Sequence, residues 1–112
     1  MNNTNAISLS SHVLDTAKGT PAANMPIELT CPNGDKVSVT TDSDGRCKDW
    51  QQTEFVAGTY QMRFHTKQYL LEKHSGGFYP FVDVHFDIVE DGGHYHVPLL
   101  ISPYGFSSYR GS

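Results

Sequence analysis

The 112-residue sequence has few basic residues, few cysteines and no long apolar run. Its eight lysines and arginines are outnumbered by twelve acidic residues, and they form no cluster. This balance argues against a nucleic-acid partner, which needs a basic surface. No apolar stretch approaches the ~18 residues of a membrane-spanning helix. The first residues also lack a basic region followed by a hydrophobic segment, so we expect no secretory leader.

Two cysteines are present, Cys31 and Cys47. Without a leader we expect reduced thiols, with Cys31 packed as a small apolar residue. We expect a cytoplasmic location. The peroxisome is the alternative, because the terminal serine loosely resembles a Ser-Lys-Leu type of address. The length and the 38% hydrophobic content predict one domain over residues 1–112, with about residues 1–6 disordered.

Alternation of apolar and polar residues dominates the sequence and predicts β-strands. It is clearest over residues 7–14, 25–31, 37–41, 60–65, 82–88 and 94–102. Turn signals at Pro32-Asn33-Gly34-Asp35 and Asp91-Gly92-Gly93 separate strands, and a last strand follows Pro103-Tyr104-Gly105. The segment from Lys67 to Ser75 predicts one short helix that stops at Gly76-Gly77. Seven or eight short strands of this kind predict an all-β, two-sheet antiparallel sandwich.

Histidines on two of these strands are the first candidates for chemistry. His12 lies on a polar strand face, where a histidine taken alone is expected to be a solvated surface residue. His94 and His96 share a strand face with Pro98 and Leu100. That face is too apolar for open water, so we expect it to meet another subunit. A histidine on such a partly dry surface can move protons near neutral pH.

Two metal sites are also conceivable. Side chains at i and i+2 of a strand point the same way, so His94 and His96 could bind zinc with His12 as a third ligand. No further ligand is locally spaced, which makes this the less favoured interpretation. Asp42-Ser43-Asp44-Gly45-Arg46 resembles the start of a calcium loop, but Thr53 stands where that loop needs glutamate. We therefore expect a plain turn, with the Arg46 guanidinium suited to a flat, oxygen-rich anion.

The sequence indicates no nucleophilic side chain. The hydroxyls that we expect near His96 belong to Ser102, Ser107, Ser108 and Ser112. None of them is singled out by its spacing, so attack by water with histidine as base is the simpler expectation. The last four residues, Tyr109-Arg110-Gly111-Ser112, combine an aromatic ring, a guanidinium and a hydroxyl. Most domains end in a few disordered polar residues, so we expect this segment to form part of a site.

Several of these motifs together resemble one family. They are Ser11-His12-Val13-Leu14-Asp15, Gly19-Thr20-Pro21-Ala22, Asp44-Gly45-Arg46, Phe78-Tyr79-Pro80 and the stretch from His94 to Ser112. In this order they resemble the 5-hydroxyisourate hydrolases, a transthyretin-related family, from about Leu9 onward. The Tyr-Arg-Gly-Ser tetrapeptide is the feature that separates these hydrolases from transthyretin itself.

The resemblance implies a transthyretin-like two-sheet antiparallel sandwich with one short helix. It also implies a homotetramer, a dimer of dimers in which strands pair across one interface and a channel at the other holds the active sites. The implied reaction is hydrolysis of 5-hydroxyisourate at a ring amide, a step in urate breakdown that gives 2-oxo-4-hydroxy-4-carboxy-5-ureidoimidazoline. The family needs no metal or cofactor.

The resemblance also implies roles for individual residues. The implied catalytic residues are His12, Arg46, His96 and Ser112, and the implied substrate contacts are His12, Arg46, Tyr109 and Arg110. The sequence leaves open which histidine is the general base. Two other functions remain as alternatives, namely a non-catalytic carrier of the transthyretin type and a structural or metal-binding sandwich that uses His94 and His96.

Overall fold

The computed structural model describes residues 6–89 and 92–111. Within these ranges the chain forms nine strands and one helix. They are β1 (Ile7–Asp15), β2 (Thr20–Pro21), β3 (Pro26–Thr30), β4 (Lys36–Thr40), β5 (Arg46–Cys47), β6 (Gly58–Phe64), α1 (Lys67–His74), β7 (Val82–Ile88), β8 (Gly93–Ser102) and β9 (Gly105–Ser108). Every strand that the alternation predicts is present. The additional strands, β2 and β5, have two residues each and are too short to produce an alternation.

The strands form two sheets that share one core. The five-stranded sheet has the order β2-β1-β8-β9, with β5 also paired to β1, and the four-stranded sheet has the order β4-β3-β6-β7. Alternate side chains of both sheets are buried together, as the period of two requires. The buried set includes Leu9, Val13, Ile27, Leu29, Tyr60, Met62, Phe64, Tyr95, Val97, Leu99 and Ile101. The predicted two-sheet sandwich with a short helix is therefore confirmed.

One strand pair differs from the predicted antiparallel arrangement. β1 and β8 run parallel along β1, from Ile7 opposite Gly93 to Asp15 opposite Ile101. Parallel neighbours need a long crossover connection. Here the connection contains the entire four-stranded sheet and the helix. Alternation shows which face a side chain takes but not the direction of the neighbouring strand, so the sequence could not reveal this pairing.

The helix α1 ends slightly earlier than the glycine signal predicts. Its last turn closes at Ser75, whose φ of 64° is left-handed. The amides of Ser75 and Gly76 then donate to the carbonyls of Leu71 and Leu70. Serine thus takes the left-handed position that glycine usually fills, and the predicted stop at Gly76-Gly77 is one residue late.

A buried carboxylate joins this helix to the end of β1. Asp15 is 1% exposed and accepts hydrogen bonds from the Tyr69 hydroxyl at 2.7 Å and from His74 Nε2 at 2.6 Å. The amides of Ala17 and Lys18 donate to its other oxygen. Burial alone would raise the pKa of Asp15, but the hydrogen bonds from His74, Tyr69 and Lys18 outweigh it and lower that pKa. The carboxylate therefore stays charged and fixes the C-terminal end of β1.

The first predicted turn and both cysteines lie within the described residues. In the β3–β4 hairpin the amide of Cys31 donates to the Asp35 carbonyl at 2.8 Å, as the Pro-Asn-Gly-Asp signal predicts. Asp91 of the second turn and residues 1–5 lie outside the described residues. Both cysteines are free thiols in the described part of the chain, with Cys31 half-buried and Cys47 buried. Burial raises the pKa of Cys47 to about 11, so it remains protonated.

The helix α1, the one helix of the described residues, is not long and apolar enough to cross a membrane.

Candidate active site

The outer face of the five-stranded sheet collects the histidines that the sequence singled out. In the parallel pairing Ser10 lies opposite His96, and Ser8 lies opposite His94. His12 follows Ser10 on the same face of β1, because alternate residues of a strand point the same way. Arg46 of β5 is the antiparallel partner of His12. Three strands that are remote in sequence thus place two histidines and an arginine on one surface.

His96 is half-buried at the centre of this surface. Its Nδ1 lies 2.7 Å from Ser10 Oγ, and within the described residues its Nε2 has no hydrogen-bond partner. Burial lowers the pKa of His96, and repulsion from His12, His94 and Arg46 lowers it further. At neutral pH the ring is therefore uncharged, and its Nε2 is available as a base.

His12 is oriented by the turn that precedes β5. Its Nε2 lies 3.0 Å from the Asp44 carbonyl oxygen. A carbonyl only accepts, so Nε2 carries the proton and Nδ1 is the acceptor of the neutral ring. The turn itself is fixed by Asp42, whose Oδ1 accepts from the amides of Asp44 and Arg46 at 2.9 Å each. The Asp42 carboxylate is thus occupied by backbone amides of the same turn, as in the plain turn that we expected.

Arg46 presents an exposed side chain beside His12. Its backbone amide is held by Asp42, but its guanidinium forms no ion pair with the described residues. A guanidinium that is placed by a strand and left without an anion can bind a planar, oxygen-rich ligand through two parallel hydrogen bonds.

The hydroxyl next to His96 is not one of those that the sequence suggested. Ser102 Oγ donates to the Gly105 carbonyl, and Ser108 Oγ donates to the Pro98 carbonyl. Ser107 is exposed on β9, and Ser112 lies outside the described residues. The hydroxyls of Ser102 and Ser108 are thus engaged with backbone carbonyls, and among the described residues the hydroxyl that contacts His96 is that of Ser10. It was missed because only the parallel pairing of β1 with β8 brings it beside His96.

The terminal segment passes directly over His96. The amide of Gly111 donates to the His96 carbonyl at 2.7 Å, and the two residues are antiparallel partners. A Cβ on Gly111 would overlap the His96 ring, with Cγ only 3.1 Å away. Only glycine therefore allows the chain to lie this close to the imidazole, which explains a glycine at this position of the tetrapeptide.

Tyr109 and Arg110 line a separate cavity of about 320 Å³. Its other walls come from β7, β8 and β9. The guanidinium carbon of Arg110 lies 4.3 Å from the centre of the Tyr95 ring, which is buried on the core side of β8. The single chain thus does not bring the Arg110 guanidinium to His96. The substrate contacts of Tyr109 and Arg110, and the role of Ser112, stay predictions.

Two histidines of this surface, His94 and His96, are engaged with serines. Both ring nitrogens of His94 and the Nδ1 of His96 lie within hydrogen-bond distance of Ser8 or Ser10. Across residues 6–89 and 92–111, no three His, Cys, Asp or Glu side chains are arranged to hold a metal ion. The geometry of the described site favours proton chemistry over metal ligation.

The chain is similar to known proteins over most of its length. A 5-hydroxyisourate hydrolase of Rhizobium meliloti is 41% identical over 93% of this chain and 95% of its own length. The solved structure of a Klebsiella pneumoniae 5-hydroxyisourate hydrolase superposes with a TM-score of 0.84 at 32% identity, covering 95% of this chain and 99% of that one. A transthyretin structure from Sparus aurata superposes nearly as well, with a TM-score of 0.83 at 30% identity over 93% of this chain and 96% of that one.

A family model supports the same conclusion over almost the whole domain. The model of the HIUase/Transthyretin family matches residues 9–111, which include β5, β8 and most of β1. The matched range therefore contains His12, Arg46 and His96. The chain belongs to the HIUase/transthyretin family.

Proposed function

We propose that this protein hydrolyses 5-hydroxyisourate at a ring amide, giving 2-oxo-4-hydroxy-4-carboxy-5-ureidoimidazoline in urate breakdown. The observation that carries the proposal is the meeting of His12, Arg46 and His96 on one sheet face. The relatives named 5-hydroxyisourate hydrolase from Rhizobium meliloti and Mus musculus support it, at 41% and 38% identity.

In the proposed reaction His96 is the general base. Its neutral Nε2 takes a proton from a water molecule, whose oxygen bonds to the ring carbonyl carbon. The carbon–nitrogen bond then breaks, and His96 Nε2–H gives its proton to the leaving nitrogen. The other product group is a carboxylic acid, which ionises at neutral pH because its pKa is about 4. Each turnover therefore consumes one water molecule and releases one proton.

Arg46 and His12 have supporting roles in this mechanism. The Arg46 guanidinium holds the oxygen-rich substrate and stabilises negative charge on the attacked carbonyl oxygen. His12 is fixed through Nε2 on the Asp44 carbonyl, so its Nδ1 can accept a substrate N–H and orient the ring. No step needs a metal or cofactor.

A carrier of the transthyretin type is the alternative, because the sandwich superposes on transthyretin with a TM-score of 0.83. Fold alone does not separate the two functions. Simple ligand binding, however, gives no reason for an uncharged histidine beside a second histidine and an unpaired guanidinium. An absorbance assay with freshly made 5-hydroxyisourate separates the two, and metal analysis of the purified protein tests the metal-binding alternative. Loss of substrate absorbance no faster than in buffer would disprove the hydrolase.

Replacing Arg46 by lysine tests the proposed oxyanion contact. We expect Arg46→Lys to lower kcat/KM by about tenfold to a hundredfold, since an ammonium cannot reproduce the planar, bidentate fork. The exposed Arg46 side chain makes no ion pair with the described residues, so the melting temperature should not change. Arg63→Lys is not a suitable control, because Arg63 is paired with Asp83. Lys48→Arg, which changes an exposed cation nearby, should be neutral.

An Arg46→Lys enzyme with most of the parental activity would contradict this role. It would mean that position 46 contributes only positive charge.

We also propose that the active protein is a homotetramer, a dimer of dimers. Within the described residues β7 and β9 are the last strands of their sheets, so each has one edge without a strand partner. Pairing with a second copy would satisfy these edges. The outer face with His96 and Leu100 remains half-exposed in the single chain and is available for the second interface. Analytical ultracentrifugation measures the assembly directly.

Leu100→Asp is expected to break the tetramer and abolish hydrolysis together. A carboxylate buried at the interface without a partner costs several kcal/mol. Leu71→Asp is the matched control, because Leu71 is 49% exposed on α1, away from the outer face. Size-exclusion chromatography, circular dichroism and the absorbance assay should show a folded, smaller and inactive Leu100→Asp protein. An active monomer or dimer would show that the site is complete in the smaller unit.

For the location of the protein we propose the cytoplasm, with the peroxisome as the alternative. The two free cysteines support a reducing compartment, because Cys31 is half-buried rather than paired. Fluorescence imaging of the chain with a tag at its N-terminus tests the proposal, since it leaves the terminal serine free. A signal in peroxisomes would favour the alternative.

A further inference from the structure

We infer that His96 exchanges its proton with solvent through a relay formed by the hydroxyl of Ser10 and the imidazole of His94. Ser10 and His94 are positioning residues in this relay, since they act on the reaction through His96. The inference rests on the proposed hydrolase function and adds two residues to its machinery. From the sequence, Ser10 had no role and His94 was considered only as a metal ligand.

The relay is a continuous series of short contacts. Ser10 Oγ lies 2.7 Å from His96 Nδ1 and 2.9 Å from His94 Nε2. Beyond it, His94 Nδ1 lies 2.5 Å from Ser8 Oγ. Exposure increases along the same path, because His96 and Ser10 are half-buried while His94 and Ser8 are exposed. The path thus leads from the base to water.

The single hydroxyl proton of Ser10 makes this series directional. A serine hydroxyl donates one hydrogen bond, so one of its two histidine nitrogens must donate to it. In the first arrangement His96 Nδ1–H donates to Ser10, Ser10 donates to His94 Nε2, and His96 Nε2 is free to act as base. In the second arrangement every bond is reversed, and His96 Nε2 carries the proton. Moving protons along the relay interconverts the two arrangements without moving any side chain.

The proposed reaction uses the relay twice, because His96 Nε2 first takes a proton from water and then gives one to the leaving nitrogen. When Nε2 of His96 takes a proton from water, Nδ1–H can pass its own proton to Ser10, and Ser10 can pass its proton to His94, which releases a proton to solvent. When Nε2–H protonates the leaving nitrogen, the same transfers run in reverse from solvent through His94 and Ser10, and the first arrangement is restored. The charge leaves the buried ring, and no oxidant or other reactant is required.

The charges around His96 make retention of that proton unfavourable. His12 on β1, Arg46 on β5 and His94 on β8 each repel a positive charge on the ring. Among its described neighbours no carboxylate accepts a hydrogen bond from it. An imidazolium at this place is therefore short-lived, and a hydrogen-bonded path to an exposed base shortens its life further.

Replacing Ser10 tests whether its hydroxyl is needed while the strand β1 stays intact. We expect Ser10→Ala to lower kcat by about tenfold to a hundredfold with little change in KM, as when the partner that orients a histidine is lost. Ser10→Thr keeps a hydroxyl and should retain most of the activity. Ser38→Ala, in the other sheet, is the matched control. In ¹⁵N NMR spectra Ser10→Ala should also change the ratio of the two neutral tautomers of His96.

Replacing His94 tests proton exit itself. His94→Gln keeps a hydrogen-bonding side chain beside Ser10 but cannot carry a proton. We expect kcat to fall by about tenfold or more, because the His96 ring must then hold the positive charge while water attacks. Added imidazole buffer should restore kcat, because it can exchange the proton in place of His94. His65→Gln, at an exposed histidine just after β6, should behave as the parent.

The relay and the hydrolase proposal fail in different ways. A parent protein that does not hydrolyse 5-hydroxyisourate disproves the function. An active parent with Ser10→Ala and His94→Gln at the parental rate disproves the relay alone. Equal losses in Ser10→Ala and Ser10→Thr, or a His94→Gln enzyme that imidazole does not restore, would also overturn it, because they would show a structural effect only.

Discussion

His96→Ala is expected to lower kcat by about two to four orders of magnitude, the usual effect of removing a general base. The imidazole is half-buried on the outer face, so its loss leaves the core between the sheets intact. The protein should keep its circular dichroism spectrum and its assembly. The measurement is the initial rate of 5-hydroxyisourate loss at saturating substrate.

The pH dependence of the parent gives an independent check on this role. Because burial and the neighbouring cations lower the pKa of His96, the acid limb of kcat/KM should lie below the ordinary histidine value of 6.5. Activity should therefore persist at pH values where an exposed histidine is already protonated. A folded His96→Ala enzyme with near-parental activity would contradict the mechanism. An acid limb above 6.5 would contradict the environment described for the ring.

Deleting residues 109–112 is expected to reduce hydrolysis by about a hundredfold or more. The deletion removes the Gly111 backbone from the His96 ring, together with its 2.7 Å hydrogen bond to the His96 carbonyl. The ring then gains freedom and water gains access, and small misplacements of a catalytic group have effects of this size. The fold should survive, because Tyr109, Arg110 and Gly111, the described residues of this segment, lie outside the buried core. Circular dichroism, size-exclusion chromatography and the absorbance assay check the three statements.

A single substitution in the same segment tests the contact between Gly111 and His96 without shortening the chain. Gly111→Ala keeps the chain intact but places a methyl group where the His96 ring lies, so it should also lose most of its activity. Gly105→Ala is the matched control, since its Cβ would meet only Ser102 Oγ at an ordinary 3.6 Å. A truncated protein with parental activity would show that the tetrapeptide has no part in catalysis.

The strand faces could be predicted from the sequence because burial has the same period as the side chains. The alternation of β8 separates Tyr95, Val97 and Leu99 from His94 and His96, and the structure buries the first set in the core. The same alternation assigned His12 to the polar face of β1, the turn motif before β5 indicated Arg46, and the pairing of β1 with β5 makes the two residues neighbours. Local pattern was sufficient wherever the answer depended on one strand.

The sequence did not indicate which strands lie side by side in a sheet. Ser10 contacts His96 only through the parallel pairing of β1 with β8, whose partners are 86 residues apart. No local signal marks such a pairing. The environment of Arg110 depends in the same way on the buried ring of Tyr95, to which it is neither adjacent nor periodically related. The surroundings of residues that meet only through contacts between strands were therefore what the sequence could not indicate.

The parallel pairing of β1 with β8 also determines when the protein can become active during its synthesis. β1 leaves the ribosome early, but its central partner begins only at Gly93. Until then the only described strands that can pair with β1 are the two-residue strands β2 and β5. Contacts between such distant segments form slowly and leave apolar surface exposed to aggregation meanwhile. Because His96 lies on β8 itself, we expect a chain that stops before β8 to lack both the completed sheet and the proposed base.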